Sequence, residues 1–199
     1  MQATEFMAVA EAIARGGVAL LPTDTNYALA CDPWDEKACA RLYEIKKRPP
    51  EKPLTLFVAG PDDAIPYTSL SGHELERFQK LARSFWPGPL NLIVPASPRA
   101  PKHRYFDRDS ISIVCNANAS LQAVLKACGH PLALTSANLS GVQVEGLITP
   151  QQAVELFGSQ VDAIAPPAPA EPQTTRSSTI VRLGAQGLDV VRQGDLVIA

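Results

Sequence analysis

Apolar residues recur along the chain at two spacings, and each spacing predicts one kind of secondary structure. Positions three and four residues apart predict amphipathic helices, and short apolar runs between turn residues predict buried strands. Helices are predicted over residues 4–15, 36–46, 73–84, 119–128 and 150–157. Strands are predicted over residues 18–21, 53–58, 90–94, 110–115, 131–134, 161–164, 179–183 and 188–191, the last two as a hairpin. Because helices and strands are interspersed, the pattern predicts an α/β sheet of mixed direction in a single domain over residues 1–199.

Two polar stretches interrupt this pattern. Residues 97–109 carry four basic side chains and two prolines, which predicts a mobile or partner-facing loop. Residues 165–176 contain four prolines and no bulky apolar side chain, which predicts an extended connector or flap. Predicted strands lie on both sides of this flap, so the sequence does not place a domain boundary there.

The composition is that of an ordinary globular protein with 199 residues, 46% of them hydrophobic and 19% charged. A formal net charge of −2 argues against a protein that coats nucleic acid, but it permits a local basic patch. No apolar run reaches the roughly 18 residues of a membrane-spanning helix. The first residues lack the basic start of a secretory signal, so the sequence predicts a soluble cytoplasmic protein without membrane contact.

The cysteines and histidines are scattered, and no pair of them has the spacing of a metal site or a redox motif. They are Cys31, Cys39, Cys115, Cys128, His73, His103 and His130. We predict no disulfide and no metal site, and we assign no catalytic role to a histidine.

Five short polar segments stand at the ends of predicted helices and strands. They are PTDTNY at 22–27, KKR at 46–48, SANLSG at 136–141, and RSST with RQG at 176–179 and 192–194. Hydroxyls at a strand end and cations at a helix end suit an anionic, phosphorylated ligand. Taken singly, each segment is equally typical of a capped turn, a solvated helix end or an edge strand. In the functional interpretation Thr25 binds substrate with Tyr27 packed beside it, while Lys46 and Arg48 hold nucleotide phosphates.

Six motifs in one order over nearly the whole chain give a more specific interpretation. They are GGVALLPTDTNYAL, KKRPPEKPLTL, FWPGPLNLIV, TSANLSG, SSTIV and VVRQG. The chain therefore resembles the YrdC-like family of threonylcarbamoyl-AMP synthases, in its short single-domain form. The resemblance implies an α/β domain whose twisted sheet, mostly parallel and partly mixed, surrounds a large concave cavity between flanking helices.

The resemblance also implies a reaction and its partners. L-threonine, bicarbonate and ATP, the last with Mg²⁺, would give threonylcarbamoyl-AMP and pyrophosphate. The product would pass to a partner transferase that modifies adenosine 37 of tRNAs reading ANN codons. Because a carbamate attacks the α-phosphate, catalysis needs positioning and charge neutralisation rather than a protein nucleophile.

The family's binding residues can be placed on this sequence only where its motifs match. Thr25 and Ser178 would contact the amino acid. The nucleotide would be bound by Lys46, Arg48, Lys52, Ser110, Ser136, Asn138 and Arg192.

The chain departs from the family pattern at the strand before helix 119–128. Members carry Gly-x-Arg-x-Pro there, and the arginine grips the threonine carboxylate. Here the arginine position is Val114 and the proline position is Asn116. Ala28 and Asn91 also replace the usual glycine and threonine of their motifs. An apolar side chain cannot replace a bidentate clamp on a carboxylate.

Three consequences of Val114 are open at the level of the sequence. Arg176, two residues before Ser178, could supply the missing guanidinium from the flap. Alternatively, the pocket accepts a different amine, related to threonine or without a carboxylate. In the third case catalysis is lost, and the chain binds a nucleotide or double-stranded RNA.

Overall fold

The computed structural model describes residues 2–139, 146–167, 174–184 and 187–198. Its α-helices are α1 (Gln2–Ala14), α2 (Glu36–Lys46), α3 (Gly72–Phe85), α4 (Ala119–Cys128) and α5 (Pro150–Phe157), and a 3-10 helix spans Asp62–Tyr67. Its strands are β1 (Ala19–Leu21), β2 (Ala28–Cys31), β3 (Thr55–Val58), β4 (Leu90–Pro95), β5 (Ser110–Cys115), β6 (Leu132–Ser136), β7 (Ala163–Ile164), β8 (Thr179–Gly184) and β9 (Gly187–Arg192). None of the helices in the described ranges is long and apolar enough to cross a bilayer.

The strands form one sheet in the order β7-β1-β2-β6-β3-β5-β4-β8-β9. The pairs β1–β7, β3–β5 and β4–β8 are parallel, and the other neighbours in the described part of the sheet are antiparallel. The predicted mixed direction is therefore confirmed. The implied mostly parallel sheet is wrong, since antiparallel pairs outnumber parallel ones.

The two faces of the sheet are covered differently because side chains alternate along each strand. In β5, Ile111, Ile113 and Cys115 point into the larger core cluster, which includes buried side chains of α2, α3 and α5. On the opposite face α1 and α4 pack together against β1, β2 and β6. Ser110 and Ser112 of β5 alternate with the core residues, and the part of this second face near Ser112 is open.

Among the described strands, β2 is the one that the sequence pattern missed. Its four residues, Ala28–Cys31, directly follow a polar loop, and the sequence pattern does not separate them from that loop. The strand is nevertheless fully paired, with Leu20 opposite Leu29 on one side and Ala28 opposite Ser136 on the other. This pairing places the 22–27 loop beside the end of β6.

The loop at residues 97–109 is anchored rather than free. Tyr105 and Phe106 are only 3% and 5% exposed, and the Leu54 backbone N–H donates to the Tyr105 carbonyl at 2.9 Å. Burial of these two aromatic side chains argues against the mobile alternative for the segment between β4 and β5, and a partner-facing loop stays a prediction. Most of the predicted flap, residues 168–173, lies outside the described residues.

Candidate functional site

A pocket of about 280 Å³ occupies the open part of the second sheet face. Its floor includes a row of neighbouring side chains that crosses four strands in register: Leu134, Thr55, Ser112 and Ile93. Five sequence-predicted site residues line it: Thr25, Arg48, Ser136, Ser178 and Arg192. The pocket thus collects side chains from both ends of the sequence.

The loop before β2 is held in one conformation by its own polar side chains. Thr23 Oγ1 donates to the Asn26 carbonyl at 2.6 Å and accepts the Thr25 N–H at 3.1 Å. The Asn26 amide donates to Ser177 Oγ at 3.0 Å and accepts the Ile148 N–H at 2.9 Å. These bonds tie the loop to two distant segments and aim Thr25 at the pocket.

Tyr27 lies behind the pocket wall. Tyr27 is 7% exposed and belongs to the larger core cluster. The Tyr27 backbone bonds to Ile148 and Ala137 at 3.1 and 2.7 Å. In this position the side chain supports the loop from the core, and its expected packing against substrate stays a prediction.

Asp24 and Asn116 form a reciprocal clip between the loop and the end of β5. The Asp24 carboxylate accepts from the Asn116 amide and from the Ala117 N–H, and the Asp24 N–H donates to Asn116 Oδ1 at 3.1 Å. Burial raises the pKa of Asp24, although the hydrogen bonds from Ala117 and Asn116 oppose this. Asn116, at the position of the family proline, therefore has a structural function that proline could not perform.

Lys46, at the end of α2, is 2% exposed and does not line the pocket. Its ammonium donates to the Ser136 carbonyl, to the Asn138 carbonyl at 2.7 Å and to Asn138 Oδ1 at 3.0 Å. Burial lowers its pKa to about 7, and the nearby charges of Arg48 and Lys52 act in the same direction. Lys46 therefore fixes the segment after β6, where Ser136 Oγ also donates to Asn138 Oδ1 at 2.6 Å.

Arg48 reaches the pocket because the helix ends in a left-handed turn. Lys47 has φ 52°, which reverses the chain after α2. The Arg48 guanidinium donates to Thr135 Oγ1 at 3.0 Å and to the carbonyls of Lys52 and Pro53 at 2.9 and 2.8 Å. These three bonds use three of its five N–H groups, so the arginine is held in place while it faces the cavity. The Lys52 side chain is exposed outside the pocket lining.

The opposite wall comes from β8 and β9. Arg192 donates through Nε and Nη2 to the Ser178 carbonyl at 3.0 and 2.8 Å. The turn after Arg192 packs so closely on this segment that a Cβ on Gly194 would lie 2.3 Å from the Ser177 carbonyl oxygen. A glycine is therefore required there.

Ser110 and Arg176 lie outside the pocket lining. Ser110 faces an adjoining cavity of about 70 Å³ that shares Ser112 with the main pocket. The Arg176 side chain is 69% exposed, with Nε 3.9 Å from the Asp195 carboxylate. Asp195 also accepts hydrogen bonds from the backbone N–H groups of residues 175 and 176, which holds this segment in place. The Arg176 guanidinium therefore does not lie in the pocket, where it could replace the arginine that the family carries at the position of Val114.

The electrostatics of the pocket favour an anion. Arg48 and Arg192 are the charged residues in its described lining, and no carboxylate faces it there. Val114 is 1% exposed and pairs in register with Phe57, so its position is an apolar part of the sheet. No group of three or more potential metal-binding side chains occurs among the described residues.

Sequence reasoning missed several lining residues, among them Asn26, Thr55, Asn91, Ser112 and Ser177. The alternation in β5 carried the signal for Ser112, since its polar positions face away from the core. Asn91 is a polar residue within an apolar strand. Its Oδ1 atom is buried and has no hydrogen-bond partner among the described residues.

Sequence comparison finds relatives along most of the chain. The model of the Sua5, YciO and YrdC family, described as "Telomere recombination", matches residues 11–194. A threonylcarbamoyl-AMP synthase of Vibrio vulnificus is 36% identical over 156 residues, which cover 78% of this chain and 82% of that protein. One from Xanthomonas campestris pv. campestris is 39% identical over 132 residues, covering 65% of this chain and 68% of the relative.

Solved structures share the fold over nearly the full length. P. abyssi Sua5 complexed with L-threonine superposes with a TM-score of 0.85 at 27% identity, over 98% of this chain and 56% of that one. E. coli YciO superposes with a TM-score of 0.82 at 26% identity, over 98% of this chain and 91% of that one. The chain thus spans little more than half of the Sua5 protein but most of YciO.

Proposed function

Because the chain belongs to the Sua5, YciO and YrdC family, we propose that it is a nucleotidyltransferase that forms threonylcarbamoyl-AMP and pyrophosphate from L-threonine, bicarbonate and ATP. The observation that carries this proposal is the pocket itself. It places the guanidinium groups of Arg48 and Arg192 on opposite walls, with hydroxyls between them and no carboxylate in the described lining. Such a site suits a triphosphate.

The phosphates would lie at the end of the pocket near Arg48 and Ser136. Arg48 is already oriented by three hydrogen bonds, so binding a phosphate costs little further ordering of its side chain. Lys46 would act from behind, by holding the segment that carries Ser136 and Asn138. Arg192 and Ser178 would close the other wall.

The chemistry needs no nucleophile from the protein. The threonine amine and bicarbonate would condense to a carbamate with loss of water, and a carbamate oxygen would attack the α-phosphorus of ATP as pyrophosphate leaves. The protein would hold the reactants and neutralise the developing charge. Mg²⁺ would arrive bound to the triphosphate, because no carboxylate in the described lining could hold it.

A second candidate differs only in the amine substrate. Thr25 and Ser178 offer hydroxyls to an amino acid, but the apolar Val114 and the outward position of Arg176 leave its carboxylate without the family's clamp. These two observations favour an amine whose acidic group is bound elsewhere or is absent. In either case the adenylate would serve a partner transferase, with the adenosine of tRNA as final acceptor for the threonine product.

The test is pyrophosphate release with ATP, Mg²⁺ and bicarbonate, with L-threonine present and then omitted. Threonine-dependent release supports the synthase. Release that requires a different amine supports the second candidate. A protein that binds ATP but releases no pyrophosphate with any amine contradicts both enzymatic assignments and leaves a binding protein, which an RNA-binding assay at increasing salt would then examine.

The phosphate assignment is tested separately with Arg48→Ala. We expect the rate of pyrophosphate release to fall about 100-fold or more, because a positioned cation is lost from the transition state. Arg83→Ala, at an exposed position of α3, is the control and should leave the rate unchanged. Equal activity of the two variants would show that Arg48 does not contact the phosphates.

A further inference from the structure

The side chain of Asn91 has an unmet hydrogen-bonding requirement inside the pocket. Asn91 lies in β4, lines the pocket and is 7% exposed. Its Oδ1 atom is buried and accepts no hydrogen bond from the described residues. Buried side-chain oxygens in folded proteins nearly always have a partner, so an exception in a residue that lines a binding pocket indicates an amide that finds its partner when a ligand is bound.

The surroundings of Asn91 offer no internal donor. Asn91 pairs in parallel register with Ile180, which pairs in turn with Arg192. The guanidinium of Arg192 is directed to the Ser178 carbonyl. Ile93 is the next residue of β4 on the same face. The acceptor therefore stands among aliphatic side chains, where a single hydrogen bond to a ligand is strong and specific.

Asn91 also lies far from the predicted phosphate end. Thr135, which binds Arg48, belongs to β6, and three strand steps separate β6 from β4 in the sheet. At the usual spacing between strands this is about 14 Å. One bound molecule, or two adjacent ones, could contact Arg48 with its anionic part and Asn91 with its other end.

We propose that Asn91 determines ligand specificity: on binding, its amide turns about the last side-chain torsion so that Oδ1 faces the cavity and accepts a hydrogen bond from an N–H or O–H of the ligand. This inference rests on the proposed function, since it takes the pocket as the ligand site. The donor is either the exocyclic amine of adenine or the amine or hydroxyl of the amino acid. A carboxylate at this point is disfavoured, because two acceptors would face each other.

An acceptor kept for a ligand leaves a distinct signature in stability. An unpaired buried oxygen destabilises the ligand-free protein, so its removal should not lower the melting temperature. Asn91→Val and Asn91→Thr form a matched pair for this purpose. They have nearly the same shape and both suit a strand, but only threonine keeps an oxygen that accepts a hydrogen bond.

The experiment measures calorimetric binding of ATP, and of L-threonine with ATP present and bicarbonate omitted. We expect Asn91→Val to weaken one of the two by tenfold or more, and Asn91→Thr to stay within about threefold of the wild type. The ligand-free melting temperature of Asn91→Val should equal or exceed that of the wild type.

The source of the donor is found with purine riboside triphosphate, which lacks the exocyclic amine of ATP. If adenine is the donor, this analogue binds the wild type tenfold more weakly than ATP, whereas Asn91→Val binds both alike. If the amino acid is the donor, the analogue and ATP bind the wild type equally and only L-threonine is lost in Asn91→Val.

Two results overturn the assignment of Asn91. Either Asn91→Val binds both ligands as the wild type does, or its ligand-free melting temperature falls and both ligands weaken together, which indicates a structural role. A wild-type chain that binds neither ATP nor L-threonine contradicts the proposed function and removes both sources of the donor. Wild-type binding with equal binding by Asn91→Val contradicts the role of Asn91 alone.

Discussion

Lys46 shows how a motif residue can be bonded to the neighbouring backbone instead of lining the pocket. The sequence predicts a phosphate contact, whereas its ammonium is buried against the carbonyls of Ser136 and Asn138. A lysine with a pKa of about 7 is a weaker phosphate ligand at neutral pH than an ordinary one. The structure therefore favours Arg48 as the primary cation of the site, since Arg48 alone of the two faces the cavity.

The lowered pKa of Lys46 predicts a pH dependence of stability. Between about 7 and its ordinary value, the unfolded chain binds a proton at this lysine that the folded chain does not, so stability rises with pH in this window. Relative to Lys46→Met, the free energy of unfolding of the wild type should increase by about 1–3 kcal/mol from pH 7 to pH 9. Urea denaturation at both pH values measures this.

The control for this measurement is Lys37→Met, on the exposed side of the same helix. The difference between this variant and the wild type should not change with pH. A wild type whose stability relative to Lys46→Met stays the same from pH 7 to pH 9 would mean that Lys46 remains charged in the folded protein.

Asp24 gives a second prediction for a single residue. Both of its carboxylate oxygens accept hydrogen bonds, one from Asn116 and one from the Ala117 N–H. In Asp24→Asn one oxygen becomes an NH₂ group that faces a donor, so the free energy of unfolding should fall by about 1–3 kcal/mol. Asp189→Asn, at an exposed position of β9, should change it by less than about 0.5 kcal/mol. If urea denaturation shows equal losses of stability for the two variants, the hydrogen bonds between Asp24 and residues 116 and 117 do not stabilise the protein.

At the level of the elements, local signals predicted most boundaries correctly. The helix predicted over residues 150–157 has these bounds in the structure, where a capping box at its start has Thr149 Oγ1 accepting the Gln152 N–H at 3.2 Å. The polar positions of β5 are visible in its alternation. Strand β2 was not predicted, because its four apolar residues follow a polar loop and show neither helical nor strand periodicity. Its pairing with β1 and β6 defines it as a strand.

The caps of α5 and α3 allow a direct comparison. Thr149→Ala should lower the free energy of unfolding by about 1 kcal/mol, because the Gln152 N–H loses its acceptor. Ser71 is the N-cap of α3 but makes no side-chain cap hydrogen bond, so Ser71→Ala should have little effect. The two variants are compared by urea denaturation, and a larger loss for Ser71→Ala would contradict the caps described here.

At the scale of the whole molecule, the site could be predicted only through motif order. Thr25, Arg48, Ser136, Ser178 and Arg192 lie in five separate segments, and no local pattern brings them together. The positions of Lys46 and Arg176 could not be predicted, because each depends on tertiary partners, the segment after β6 and Asp195. The unpaired Oδ1 atom of Asn91 could not be predicted either, because whether a side-chain atom finds a hydrogen-bond partner depends on the folded structure around it.

This arrangement predicts how a nucleotide stabilises the protein. The pocket joins the loop before β2 to β8 and β9, and the Asn26–Ser177 hydrogen bond already links them. We expect ATP to slow amide hydrogen exchange in residues 23–28 and also in 177–182 and 187–192, because ligand contacts to both walls oppose local opening. Mass spectrometry of exchange with and without ATP measures this, and protection confined to one wall would contradict a ligand that bridges the pocket.

The place of β4 in the sheet has a consequence for synthesis on the ribosome. β4 lies between β5, which follows it closely in sequence, and β8, which comes much later. A nascent chain can therefore pair β3, β4, β5 and β6 while one wall of its cavity has not yet been translated. Until β8 and β9 emerge and β8 pairs with β4, the polypeptide offers Arg48 and Thr25 but not Ser178 or Arg192. Nucleotide retention by stalled chains of increasing length would thus mark the moment at which the last strands join the sheet.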